Sequence, residues 1–226
     1  MDAGFTVYRA DGSVQLDASV PVPSLVGKGT VISETAPGLG ASLSRATVAV
    51  AADEILAFAS TPYAHLGAKR SGVQDIFVDA SPGASVDWYK FKIQTSSSAT
   101  AGLQLFDAAG NLLFCATQKP IRISSVIGTG SHSLTAGRTY AFLPAQVYVS
   151  EERFWAATNV GTDIDWLAVS AATADCIRRI SGGAEVASRV VSSVGSGPYD
   201  EQFDGWAGTS NNGMTTSYLV LDVTNF

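Results

Sequence analysis

Residues 102–114 read GLQLFDAAGNLLF, and residues 4–16 read GFTVYRADGSVQL. Alternation places Leu103 and Leu105 on one face of an extended chain and Gln104 and Phe106 on the other, and Leu112 and Phe114 resume the pattern after a break. This is the signature of a β-hairpin. Its loop, Asp107 to Asn111, suits a type I turn followed by a glycine at positive φ, with a bulge closing the hairpin. The earlier stretch offers the same turn chemistry from Arg9 to Ser13, and Gly4 and Gly12 are spaced as Gly102 and Gly110 are.

The likeness continues along the chain. VAVAADEILAFAS (48–60) is answered by SHSLTAGRTYAFLP (131–144), each ending in an apolar strand centred on Ala-Phe, at Ala57-Phe58 and Ala141-Phe142. SVDWYKFKI (85–93) is answered by DIDWLAVSA (163–171), which matches Trp88 with Trp166 as the core anchors of the two copies. Three elements recurring in one order predict a tandem duplication, about 4–93 and 102–171, joined by the polar connector QTSSSATAG (94–102). With turn signals at 36–40, 81–85 and 159–163, the predicted fold is all-β: two tandem, related β-sandwich-like domains, 1–95 and 96–226. Residues 172–226 read as an extension of the second domain without a counterpart in the first. In it, TADCIRRISGG (173–183) predicts a short helix capped by Thr173, with Ile177 and Ile180 on one face, and 192–217 has the composition of a long loop. SYLVLDVTNF predicts a docked closing strand.

The chain has 226 residues, 46% of them hydrophobic and 15% charged, enough for one good core or two small ones. A net charge of −6, with no cationic run beyond AKR (68–70) and the Arg178-Arg179 pair, argues against sequence-independent nucleic-acid binding. The N-terminus lacks the zones of a secretory signal, and no apolar run reaches the ~20 residues of a membrane span, so the expectation is a soluble protein made in the cytosol without membrane insertion. Cys115 and Cys176 form no CxxC and predict two buried, reduced thiols, a disulfide being the alternative.

Catalytic chemistry finds no foothold. Neither Ser131 nor Ser196 sits on a G-x-S-x-G elbow, His65 and His132 read as surface or loop histidines, and GKGT (27–30) and GTGS (128–131) read as turns rather than phosphate loops. Asp200, Glu201 and Asp204 miss the EF-hand pattern and read as a solvated acidic loop. The expectation is a non-enzyme with no cofactor and no metal. A candidate recognition loop gathers Tyr199, Trp206, Asn211 and Asn212, a mixture suited to sugar rings or a protein patch; the competing reading has Trp206 plugging a groove or a subunit contact.

GFTVYRADGSVQLD at the start, VDWYKFKIQTSSSATAGLQLFDAAGNLLFCATQKPIRI in the middle, and the doubled hairpin motif resemble small tail-tip or tail-fibre-associated virion proteins of long-tailed, siphovirus-like bacteriophages and prophages. The resemblance is clearest over 4–17 and 84–123. Members carry VFDS after the second hairpin, where this chain has Phe114-Cys115-Ala116-Thr117. The resemblance implies a structural component of the virion tail, made in the host cytoplasm, whose partners are copies of itself, in a trimer by analogy with fibres, and other tail proteins, with a host surface receptor or glycan beyond them. It carries no catalytic residues. The rival readings are a receptor- or glycan-binding module, a capsid decoration protein and a tail-borne envelope-degrading enzyme.

Overall fold

A computed structural model of the chain describes residues 6–8, 14–17, 21–36, 43–97, 102–107, 109–160, 163–199 and 208–226, with side chains described outside 6–8, 14–17, 154–160, 163–168 and 193–199. The fold is all-β. Before residue 95 the short alternating runs form β1 (Thr6–Tyr8), β2 (Val14–Asp17), β3 (Ser24–Ile32), β4 (Glu34–Thr35), β5 (Ser44–Ala49), β6 (Glu54–Ser60), β7 (Ala64–Arg70), β8 (Val73–Val78) and β9 (Ser85–Lys92). There follow β10 (Gln104–Phe106), β11 (Leu112–Cys115), β12 (Ile123–Ile127), β13 (Gly130–Ser133) and β14 (Tyr140–Gln146). The last five are β15 (Val149–Val160), β16 (Asp163–Ile180), β17 (Gly183–Tyr199), β18 (Gly208–Asn211) and β19 (Ser217–Asp222).

The two hairpins share one register. Thr6 faces Asp17 and Val7 faces Leu16, then a shift brings Tyr8 opposite Val14; Gln104 faces Cys115 and Leu105 faces Phe114, then the same shift brings Phe106 opposite Leu112. Gly110 has φ +83°, and the Asp107 carboxylate accepts hydrogen bonds from the backbone N–H groups of Ala109 (2.9 Å) and Asn111 (2.7 Å). The turn predicted from Asp107 to Asn111 is therefore the one that forms.

The remaining strands make two sheets. The six-stranded sheet has the order β12-β19-β14-β6-β9-β3, and the nine-stranded sheet runs β13-β17-β16-β7-β8-β5-β4, with β15 attached at β16 and β18 at β15. In the first sheet the middle pair is β14 and β6, with Phe142 opposite Phe58; in the second it is β16 and β7, with Ile177 opposite Ala64. Outward from those seams the two halves match strand for strand. β6, β9 and β3 correspond to β14, β19 and β12, and β7, β8 and β5 correspond to β16, β17 and β13. The duplication thus extends to β19, so that within 172–226 the ends of β16 and β17 at the sandwich and the strand β19 do have counterparts in the first half.

One core lies between the sheets. Phe58, Val86, Phe142, Tyr218 and Val220 of the six-stranded sheet pack with Val48, Ile76, Val78, Ile177 and Val186 of the nine-stranded one, all buried, so both units feed a single interior. A smaller cluster on the far side of the six-stranded sheet joins Phe91, Ala141 and Leu221, with Phe226 packed against it, which docks the closing segment as expected. Across the other seam, Tyr63 of the first unit lies between the Arg178 and Arg189 guanidiniums of the second, 4.4 and 4.0 Å from its ring centre. Arg178 in turn donates to Glu185 (2.6 Å), and Arg189 pairs with Asp79 of the first unit at 3.4 Å. The two copies are riveted by side chains as well as by strand pairing.

Three sequence expectations are corrected. Trp166 is not the partner of Trp88: from Phe58 opposite Trp88 and Phe142 opposite Val220, the counterpart of Trp88 is Val220. Trp88 lies over the glycines of the edge strand β3, where a Cβ at Gly29 would stand 2.8 Å from its Cζ2, whereas Trp166 is on β16, opposite Ala157 and Tyr199. The short helix at 173–183 is strand: Ile177 is fully buried and Ile180 is 36% exposed, on opposite faces as a two-residue period requires, and Gly182 (φ +72°) turns a hairpin instead of stopping a helix. Of the predicted long loop, residues 192–199 and 208–211 are strand, with Pro198 tolerated at the register shift between Trp166 and Ala168. GKGT likewise lies within β3, while GTGS does span the turn between β12 and β13.

The second unit also grows a ribbon. Phe58 and Ala64 are close in sequence, but their counterparts are Phe142 and Ile177; Val78 and Trp88 correspond to Val186 and Val220. The extra chain in these two gaps pairs with itself: β15 runs along β16 from Val149 opposite Ala174 to Val160 opposite Asp163, β17 runs along the other side of β16, and β18 pairs with residues 150–153.

Candidate functional site

Of the four residues of the candidate recognition loop, Trp206 lies outside the described residues, as do Asp200, Glu201 and Asp204. The other three are not gathered together. Ser150 stands opposite both Thr173 and Asn211, while Tyr199 is opposite Trp166, so at ~3.4 Å per residue the run of β16 between them separates Asn211 from Tyr199 by ~24 Å. Asn212 is committed to the backbone. Its Nδ2 donates to the Val147 carbonyl (2.9 Å), and its Oδ1 accepts from the N–H groups of Val149 and Met214 (both 3.2 Å). Asn211 Oδ1 accepts from Gly213 N–H at 2.9 Å. These asparagines, both exposed, brace the turn at the base of the ribbon.

Buried chemistry is concentrated where the ribbon leaves the sandwich, and the sequence did not flag it. Asp175 is 3% exposed; its carboxylate accepts from Thr216 Oγ1 (2.6 Å) and from the Ser188 hydroxyl, and its carbonyl accepts from the Tyr218 hydroxyl (2.8 Å). The Thr216 hydroxyl accepts in turn from Tyr148 N–H at 2.8 Å. A carboxylate beside an alanine and a cysteine gives no sequence signal for such a network, because its partners come from β17 and from the segment before β19. The arrangement holds β16, β17 and β19 together at the ribbon's root.

His65 departs from the surface or loop reading, being half-buried on β7 and stacked on Phe77 with ring centres 5.2 Å apart. Its Nδ1–H donates to the Leu66 carbonyl (3.1 Å), which leaves Nε2 a buried acceptor without a partner. Burial holds its pKa below the ordinary histidine value, so the folded protein binds the proton less readily than the unfolded chain. Stability should therefore be complete above about pH 6.5 and fall as the pH drops from there toward the lowered folded pKa. Denaturant titrations at pH 7.5 and 5.5 should show this loss in the wild type and not in His65→Phe; an equal loss in both would contradict it. His132, on β13, places Nε2 2.9 Å from the Gly128 carbonyl.

The cysteines are free and buried, as expected. They differ in character. Hydrogen bonding with the Ser97 and Thr117 hydroxyls (3.3 and 3.0 Å) lowers the Cys115 thiol to about 7, whereas burial pushes Cys176 up to about 12. Cys115 belongs to the peripheral hairpin, whereas Cys176 is buried on β16, within the nine-stranded sheet, on the face opposite Ile177. A thiol reagent under native conditions should label Cys115 well before Cys176; mass spectrometry showing equal rates would refute the assignment.

A cleft of about 290 Å³ lies between residues 134–140 and the turn at 180–183, with Arg138 and Arg179 in its wall. Both guanidiniums are engaged, Arg138 with Asp222 and Arg179 with Asp87 at 2.7 Å. No known protein family, curated protein sequence or solved structure matches the chain.

Proposed function

We propose that the protein is a non-enzymatic structural component of a long-tailed bacteriophage tail, in the tail tip, baseplate or fibre, which contributes to virion assembly and host attachment. The reading begins in the resemblance of the hairpin sequences to tail-associated proteins, and the observation that carries it further is the build of the molecule. Two copies of one β unit share a core, and polar groups such as the buried Asp175 and the surface Asn212 are spent on bracing the chain. A scaffold of this kind suits a particle component that must hold its shape while weak contacts add up by repetition.

The glycan-binding alternative loses support from Asn212, whose amide is already hydrogen-bonded on both sides. Quantitative mass spectrometry of purified particles tests the proposal. A handful of copies per particle, located on the tail by labelled electron microscopy, is the expected result. Absence from particles contradicts it, and hundreds of copies would point to capsid decoration.

A further inference from the structure

We infer that the ribbon of β15, β16 and β17 is the surface through which copies of this chain associate, with each ribbon contacted on both faces by its neighbours. The inference rests on the tail-component reading for its setting, but on the ribbon's own properties for its content.

The first property is redundancy. The first unit completes its share of the sandwich with β7 and β8 of 7 and 6 residues, whereas β16 and β17 run to 18 and 17. Comparison of the copies therefore separates what the core requires from what has been added. The added part leaves the sandwich where β16 exchanges its neighbour β7, opposite Ile177, for β15, opposite Ala174. A single sheet layer has no second layer against which to bury apolar residues.

The second property is composition. No Asp, Glu, Lys or Arg occurs in 154–160, 166–174 or 190–199, although these three runs lie side by side. Charges stand only at the two ends, with Glu151, Glu152 and Arg153 at the root and Asp163 and Asp165 near the turn. A water-facing ribbon with open edges ordinarily carries lysines or other charges that discourage pairing. Here the uncharged zone also holds Phe154, Trp155, Trp166 and Tyr199, and a charge-depleted, aromatic-rich centre with a charged rim is the composition of a protein interface. Val149 and Val190, opposite the successive residues Ala174 and Thr173 and so on opposite faces, are 40% and 46% exposed in the single chain.

Area decides the partner and the arrangement. Three strands at ~4.8 Å spacing over ~12 residues at ~3.4 Å each give one face on the order of 550 Å². A stable complex needs roughly 800 Å² per partner, so one face falls short and two suffice. A two-fold dimer stacks one face; a closed ring of three gives every ribbon two neighbours. Three copies of this chain is the smallest closed ring that fits.

Sedimentation velocity and light scattering on the full chain test this, alongside Val149→Lys and Val190→Lys. Both valines are already exposed in the single chain, so a lysine leaves its fold intact, as near-UV circular dichroism will report. The expected result is a trimer for the wild type and at least tenfold weaker association for each variant. A wild type that stays monomeric at micromolar concentration, or an oligomer indifferent to both lysines, overturns the inference. Absence of the protein from phage particles would instead defeat the tail assignment, while leaving ribbon association standing.

Discussion

Replacing Phe142 by alanine should lower the stability of the whole fold by about 3–5 kcal/mol, the usual cost of emptying a buried phenylalanine site. Phe142 is fully buried on β14 and stands opposite Phe58, also fully buried, at the seam of the two units. The void would open in the core that both sheets share, where neither half can close over it alone. For a chain of this size the midpoint of thermal unfolding should fall by on the order of 10 °C. Phe106→Ala is the control: that ring is 52% exposed on the peripheral hairpin, and its loss should stay within about 0.5 kcal/mol. Equal costs for the two substitutions would mean that the seam is not part of the core.

Gly183→Ala should cost about 3 kcal/mol through overpacking against backbone, which cannot rotate out of the way as a side chain can. A Cβ there would stand 2.1 Å from the His132 carbonyl oxygen and 3.1 Å from the carbonyl carbon. β13 pairs with β17 from Gly130 opposite Val186 to Ser133 opposite Gly183, and Leu134 N–H donates to the Gly182 carbonyl at 2.9 Å. The methyl group would have to push the edge strand away and break that ladder. Gly182→Ala separates this effect from backbone preference. Gly182 has φ +72° with open space around its Cβ position, so alanine there should cost only the left-handed strain of about 1–2 kcal/mol. Denaturant unfolding of the two variants measures the difference, and a Gly183→Ala protein as stable as wild type would contradict the close approach of β13.

Much of the architecture was legible because β-structure writes locally. Asp107-x-x-Gly-Asn specifies its turn by short-range hydrogen bonds, and the Ala-Phe strands announce themselves by their apolar runs; these two landmarks match in the fold as they match in the sequence. The Asp-Trp landmark misled because a strand's composition does not say which sheet it joins. Trp88 and Trp166 both sit on strands, but one covers the glycines of β3 and the other lies on the ribbon. TADCIRRI read as a helix because two isoleucines three apart satisfy a helical face as well as they satisfy two faces of a strand, and only the pairing with β17 decides between them. The candidate site fared worse for the same reason. Asn211 and Asn212 have the composition of a recognition loop, but hydrogen bonds to Gly213 and to Val147 and Val149, two of them far along the chain, determine what those amides do. Asp175 was invisible because a buried carboxylate is recognised by its hydroxyl partners, Ser188 and Thr216, which are distant in sequence.

The claim on which the rest depends is that two copies of one unit have become a single cooperative body, each unfinished without the other. Differential scanning calorimetry of the intact chain addresses it directly. The shared core and the strands of both units joined side by side in each sheet predict one transition, with the calorimetric enthalpy equal to the van't Hoff enthalpy evaluated for the associating unit. Two resolved transitions, one abolished by Phe58→Ala and the other by Phe142→Ala, would show two domains that fold independently and would contradict the account.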